Sequence, residues 1–530
     1  MNRLPPDDGL QRFHGMTSTW EVSKPQLESH GGIVAAQHFE AAQVGAGILH
    51  AGGNAMDAAI ATALALSVVE PWLSGLGGGG FLLHADAQGV VDALNFTMRA
   101  PLAADTADYP LVGGDGGDWF DWPSVQDDRN LVGPFSICVP GAVAGLASAL
   151  ERHGSLSWDA VLQPAIALAE RGMRVDWFAE LAFSIDRDGL LKNSHAKRLF
   201  LDPDSRIHDP ADSTLTLLPM PAQAKTLRAL AEKGSRDFYE GQMAELLVND
   251  LRTVGSAITL DDMARYEPVW SDTLSAVYRD RIIHTIPGLS GGPSLLSTFA
   301  ELSGHEPGDT DEAGFAALHA DAIRNAYTSR LQSMGHAATI QDCTTHLCVI
   351  DNAGNMVSLT NTLLSRFGSK VVAPSLGLTM NNGMMWFDPR PGQPNSIAGG
   401  ASPLTNMSPA ITMRDGKPEI AIGAAGGRQI FPAVAQILSR IIDKGESPEA
   451  AIHAPRIDAS TPTIRINRRA TPDTASRISI NHPVQIVEDT LYPVQFAIPT
   501  LVKAGSHGAP NIGVVHPNNP WTCAVSDDAS

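Results

Sequence analysis

Basic residues, cysteine and long apolar runs are what this 530-residue sequence has least of. Lys and Arg number 37 against 57 Asp and Glu, a formal net charge of −20. A chain this acidic lacks the clustered positive charge by which proteins hold nucleic acid or anionic membrane surfaces, so neither is expected as a partner. The four cysteines, Cys138, Cys343, Cys348 and Cys523, form no disulfide framework and match no zinc-ligand spacing. Cys343, His346 and Cys348 are close in sequence, but on an extended strand 346 and 348 face one side and 343 the other, so no metal site is expected there. No apolar stretch reaches the roughly 18 residues that cross a bilayer. The opening Met1–Asp8 segment lacks the basic-then-apolar order of a secretory leader, which makes a cytoplasmic enzyme the expectation. Internal repeats and low-complexity tracts are also missing. What remains is a 43% hydrophobic globular chain with room for two to four domains.

Helical periodicity recurs over 40–51, 54–69, 142–152, 158–171, 222–233, 241–253 and 312–331, with Asn54 placed to cap the second of these. Residues 1–30 are a polar lead-in, and 105–130 and 185–220, rich in Asp, Pro and Gly, are expected as loops. After residue 344 the pattern turns to strands with tight turns. A hairpin is expected around Arg414–Lys417 and a helix over 428–441. Strands and helices mix without βαβ alternation, which points to an α+β fold.

The segment from Cys343 to Asn355 carries the most chemistry. Two threonines open a β-branched, apolar run that ends in Asn352-Ala353-Gly354-Asn355, a turn signal, before a second apolar run from Met356. Taken alone, Thr344 and Thr345 are ordinary strand formers. If the bond before Thr344 is cut, however, its hydroxyl becomes a nucleophile with an α-amine base on the same residue. A competing nucleophile is Ser290 in Gly288-Leu289-Ser290-Gly291-Gly292, which matches G-x-S-x-G between a strand-like run at 281–286 and a helix at 293–303, with His305, His319 and Asp321 downstream. That elbow belongs in a regular parallel sheet, which the sequence does not predict.

An ordered set of motifs surrounds Thr344: Gly52–Ala59, Glu70–Phe81, Val139–Gly145, Asp237–Gly241, then Thr362, Asn381-Asn382, Pro403–Pro409 and Gly426-Gly427. In order and spacing they resemble the gamma-glutamyltranspeptidase family of N-terminal-nucleophile hydrolases. The resemblance implies a four-layer αββα sandwich, cofactor-free cleavage of a small-molecule amide, and one precursor giving a large subunit (1–343) and a small subunit (344–530) that share one catalytic domain. It further implies Thr344 as nucleophile, Thr362 as its hydrogen-bond partner, and Gly426 and Gly427 as the oxyanion site. A plain helix-entry turn is the other meaning of that glycine pair.

The substrate residues depart from the family pattern. Its carboxylate-binding Arg aligns with Thr97, with Arg99 two residues on, where it either reaches the site or is a structural partner. The family's serine pair becomes Thr405-Asn406, and Asn382 is retained. The Asn, Gln and acidic residue that hold a substrate ammonium become Leu364, Gly383 and Trp386. This loss leaves the acyl donor open, and a γ-glutamyl amide held by some other counter-charge remains one expectation beside two more. One is a donor with a terminal carboxylate but no amine, such as the glutaryl amides of the family's cephalosporin acylase-like branch; the other is a catalytically silent scaffold. The linker Leu331–Cys343 is also shorter than is common in the family.

Overall fold

A computed structural model describes residues 22–115, 123–209, 212–306, 310–335, 342–492 and 494–528. Within it, Asp342–Ile350 and Met356–Ser365 form an antiparallel hairpin. The turn between them is fixed by the Asp351 carboxylate, which accepts from the backbone N–H of Ala353 and Asn355, both at 2.9 Å, while Gly354 adopts a φ of +89°. The same carboxylate accepts from Ala55 N at 3.0 Å, tying the hairpin to the start of the helix Ala55–Val69. Every residue of Met356–Ser365 is buried, as both faces of a central strand require.

Around this hairpin an antiparallel sheet runs in the order Val269–Asp272, Val91–Phe96, Gly79–Ala85, Met356–Ser365, Asp342–Ile350, Ile33–Ala36, Cys523–Ser526. A second seven-stranded antiparallel sheet runs Leu27–Ser29, Asn511–Val515, Ile498–Lys503, Lys417–Ala425, Ala410–Arg414, Arg281–Thr285, Leu274–Tyr278. Three apolar cores separate four layers. Leu347, Val349, Val357 and Leu359 pack outward against Ala55–Val69 and its neighbours. Ile33, Phe81, Cys348, Ile411, Ala421 and Val502 fill the space between the sheets. Ile283, Ile420, Ile422 and Leu501 pack against the helices Gly292–Leu302, Glu312–Met334 and Ile430–Asp443. The α+β, αββα expectation holds. Among the described residues no helix is long and apolar enough to cross a membrane.

Ala55–Val69 is buried along its whole length, so its N-terminus cannot be solvated. Asn54 caps it in a reciprocal box: its side chain accepts from Met56 N and Asp57 N, and the Asp57 carboxylate accepts from Asn54 N at 2.8 Å. Asp57 also accepts from Ser155 N, Ser155 Oγ and Leu156 N at 2.9, 2.5 and 3.0 Å, joining two helix boundaries about a hundred residues apart.

Two expectations are corrected. Residues 27–29 are an edge strand rather than lead-in. Residues 185–220 hold a short helix at Arg187–Leu190, a helical turn at Lys197–Leu201, and the strands Ile207–Asp209 and Asp212–Leu218, which pair with each other and with Met173–Val175. The Asp and Asn residues that mimic a loop signal there act as caps instead: Asn193 and Asp202 each accept from the N–H groups that open a turn. The linker before Thr344 lies largely outside the described residues.

Asp57→Ala leaves four partly buried donors without their acceptor and should cost about 1–3 kcal/mol of stability. Asp57→Asn, which keeps one acceptor oxygen, should fall between. Urea denaturation of the three proteins checks the order.

Candidate active site

Thr344 is 1% exposed and faces the space between the sheets, on the side of the strand shared by His346 and Cys348. The hairpin register shifts at this point. Cys343 pairs with Leu364 and Thr345 with Asn361, so Thr362 and Leu363 together stand opposite Thr344. This bulge turns the Thr362 hydroxyl to within 3.2 Å of Thr344 Oγ1. Thr362 Oγ1 also accepts from Leu364 N at 2.8 Å. Leu364 takes a φ of +82°, a left-handed conformation that a leucine reaches only at a cost in strain.

Gly426 and Gly427 follow the end of Lys417–Ala425, with φ of +135° and +55°. A Cβ on Gly426 would meet Ala497 Cα at 2.8 Å. Gly427 opens the turn that leads into the helix Ile430–Asp443, where the first N–H groups have no intrahelical partner. Thr344, Gly426 and Gly427 share the wall of one cavity of about 420 Å³. Its other walls include Trp72, Phe178, Arg366, Arg428, Asp458, Arg465, Tyr492 and Gln495. Arg366 donates to Asp186 at 2.5 Å and lies over the Tyr492 ring at 5.3 Å; Gln429 bridges Asp458 and the Gln495 carbonyl.

The nominated substrate residues stand elsewhere; none of them lines this cavity. Arg99 lies beyond the end of Val91–Phe96, donating to the Glu267 carbonyl at 3.4 Å with its guanidinium over Tyr266. Asn382 accepts from Ser365 N and donates to Ser365 Oγ and the Leu131 carbonyl. Trp386 belongs to the core between the sheets, with Cys138, Met384, Met385 and Met407. The Thr405 carbonyl and Asn406 Oδ1 both accept from the buried Arg330. Asn406 Nδ2, itself buried, has no hydrogen-bond partner among the described residues. The competing Ser290 is fully buried, donating to the Ile286 carbonyl and accepting from Gly292 N as a helix-entry cap. His319 and Asp321 are committed to Phe315 and His482 and assemble no triad around it.

Sequence patterns missed Trp72, Phe178, Arg366, Arg428, Arg465 and Tyr492 as cavity residues. Trp72 sits inside a quoted motif and Arg428 directly follows Gly427, so proximity to the nominated residues was a usable signal for those two. Nothing local marks the other four.

Behind the strand, Thr345 Oγ1 donates to Glu70 Oε2 at 3.4 Å. Glu70 is wholly buried, and desolvation holds its carboxyl well above the usual carboxylate range against the smaller opposing effect of that hydrogen bond.

The family profile described as gamma-glutamyltranspeptidase matches residues 41–342 and 315–496. The glutathione hydrolase proenzyme of Escherichia coli is 30% identical over 501 residues, covering 84% of each chain. The Acylase ACY 1 proenzyme of Pseudomonas sp. (strain SE83) is 31% identical over 476 residues, covering 82% of this chain and 83% of its own. In structure, the cephalosporin acylase from Bacillus halodurans superposes with a TM-score of 0.83 at 24% identity, covering 96% of this chain and 98% of its own.

Glu70 yields a pH prediction. In the unfolded chain it ionises near 4.5, whereas the fold retains the proton to higher pH. Its contribution to stability is therefore full below pH 4.5 and lost as pH rises toward the folded value. Glu70→Gln, which cannot ionise, should gain stability relative to the parent between pH 5 and pH 8. Thermal midpoints at the two pH values check this; equal differences at both would mean that Glu70 ionises as readily folded as unfolded.

Proposed function

The chain belongs to the gamma-glutamyltranspeptidase family, and on that premise we propose that it is a self-processing threonine amidohydrolase or acyltransferase acting through an acyl-enzyme on Thr344. The observation that carries this reading is the buried Thr344 hydroxyl, 3.2 Å from Thr362 Oγ1, opening on the cavity that Gly426 and Gly427 also line.

In maturation, Thr344 Oγ1 attacks the Cys343 carbonyl carbon, the peptide C–N bond breaks as the acyl group shifts to oxygen, and water hydrolyses the ester. The products are residues 1–343 and a 344–530 fragment with a free Thr344 α-amine. In turnover that amine, with an unperturbed pKa of about 8, takes the hydroxyl proton as Oγ1 attacks a substrate amide. The N–H groups at Gly426 and Gly427 stabilise the oxyanion. Collapse expels the amine with a proton and leaves an ester on Thr344, which passes its acyl group to water or to a second amine.

For the acyl group we favour a dicarboxylic monoamide of the glutaryl type over a γ-glutamyl amide. A substrate ammonium needs a counter-charge when buried, at a cost of several kcal/mol without one. Leu364 and Trp386, at the positions where the family holds that ammonium, supply none, and the carboxylate that does line the cavity, Asp458, is engaged by Gln429 and Arg465. At Gly383 a Cβ would come 2.6 Å from Cys138 Sγ, so the backbone leaves no room for a polar side chain there. The similarity to a relative named as an acylase agrees with this choice. The presence of both the hydroxyl pair and the glycine pair supports an active enzyme over a silent scaffold.

Thr344→Ala should remain a single chain without amidase activity, while the small fragment of the parent begins Thr-Thr-His-Leu on N-terminal sequencing. Any other first residue displaces the nucleophile. With the mature enzyme, kcat/KM for a glutaryl anilide should exceed that for the γ-glutamyl anilide by about tenfold or more, the scale of one unmet polar contact. A γ-glutamyl preference would place an ammonium counter-charge on another residue.

A further inference from the structure

Where the helix Ala142–His153 meets the sheet that carries Thr344, three side chains of metal-ligating type come together that the amidase chemistry does not use. His84 is on Gly79–Ala85, Asp92 faces it across the strand pair on Val91–Phe96, and His153 is the last residue of the helix Ala142–His153. One donor atom from each lies within 4.8 Å of the other two. The two imidazoles stack with centroids 4.0 Å apart. His153 Nε2 stands 3.0 Å from Asp92 Oδ2, yet this buried nitrogen forms no aligned hydrogen bond. The His84 ring makes no side-chain hydrogen bond among the described residues.

We propose that His84, Asp92 and His153 bind a divalent first-row transition ion of the Zn²⁺ class, pinning the end of the helix to the strand pair.

Two imidazoles and one carboxylate suit Zn²⁺ or Co²⁺, and three protein ligands leave a position for water. The 3.0 Å separation of the His153 nitrogen and the Asp92 oxygen, an ion pair as it stands, is also within the spacing of two ligands of one ion. The 4.8 Å limit requires His84 to close in by rotating its ring. The helix C-terminus adds the negative end of its dipole. Asp86 adds negative charge nearby. The opposing charge is Arg152, 3.4 Å from Asp92 Oδ2 and 46% exposed, which also stacks on Trp270 at 4.5 Å and can swing into solvent.

The strand bearing His84 pairs, at its other end, Gly79 with Thr362. The ion would therefore brace the strand next to the hydroxyl pair without touching it.

The test is a titration of untagged, chelator-treated protein with Co²⁺, followed by visible absorption, and with Zn²⁺, followed by calorimetry. One equivalent should bind and raise the thermal midpoint. His153→Asn and Asp92→Asn should each weaken binding by about 10²-fold or more, since loss of even an outer-sphere partner costs 10–100-fold. Arg152→Ala should tighten binding, because it removes the competing cation, an effect that a purely structural role for these residues does not predict. Circular dichroism of the metal-free variants establishes that they fold; His84→Asn serves as a third variant should either of the others fail. Absence of stoichiometric binding, or binding that is unchanged in the folded variants, would overturn the proposal. Its failure would leave the Thr344 chemistry intact, because neither fragment formation nor amidase turnover uses these residues.

Discussion

A hydroxyl buried between two β-sheets must find a partner inside the protein, and the site is organised around that requirement at Thr344. Leaving such a group unpaired costs roughly 1–3 kcal/mol. A regular ladder would set one residue opposite Thr344; the bulge sets two, and so presents Thr362 Oγ1 at 3.2 Å. Leu364 bears the cost in its left-handed backbone. That conformation persists because both strands lie in the middle of the sheet, where layers on either side leave the backbone no room to relax. The strain and the hydroxyl pair are two aspects of one register shift.

The remainder of the fold keeps that register. The Asp351 turn fixes which residues of the hairpin face each other and attaches it to the fully buried helix Ala55–Val69. The helix is attached in turn through Asp57 to Ser155 and Leu156. The second sheet brings Gly426 and Gly427 to the same cavity from the far side of the inter-sheet core. Residues separated by more than three hundred positions thus converge through two sheets and one helix cap.

The parts legible in the sequence were those whose physics is local. Helix limits at 54–69, 142–152 and 158–171 follow from periodicity and caps, and the structure places them within a residue or so. The Thr344 hairpin announced itself by its turn, whereas the glycine pair was singled out by the family resemblance and its positive φ belongs to the structure. The stacking of four layers came only with the family resemblance, because amphipathic pattern says that a face is buried but not what covers it. The segment 185–220 was misjudged because Asp and Asn favour caps and turns alike. Cavity residues such as Phe178, Arg465 and Tyr492 were invisible, since they meet only after folding. For Arg99 and Trp386, alignment gave the position along the chain but not the environment, in which the side chains pack against Tyr266 and into the inter-sheet core.

Net charge and local charge point in opposite directions at the site. The chain carries −20 overall, which would repel a carboxylate-bearing amide at long range. Yet Arg366, Arg428 and Arg465 all border the cavity beside Thr344. At physiological ionic strength charges beyond about 8 Å are largely screened, so a substrate at the mouth responds to these arginines far more than to the distant acidic surface. Two of them are held by carboxylates, Arg366 by Asp186 and Arg465 by Asp458 at 3.9 Å. Those partners fix the guanidinium groups in position and also temper their charge. The aromatic rings of Trp72, Phe178 and Tyr492 cover the intervening wall, giving the cavity an apolar surface with cationic edges.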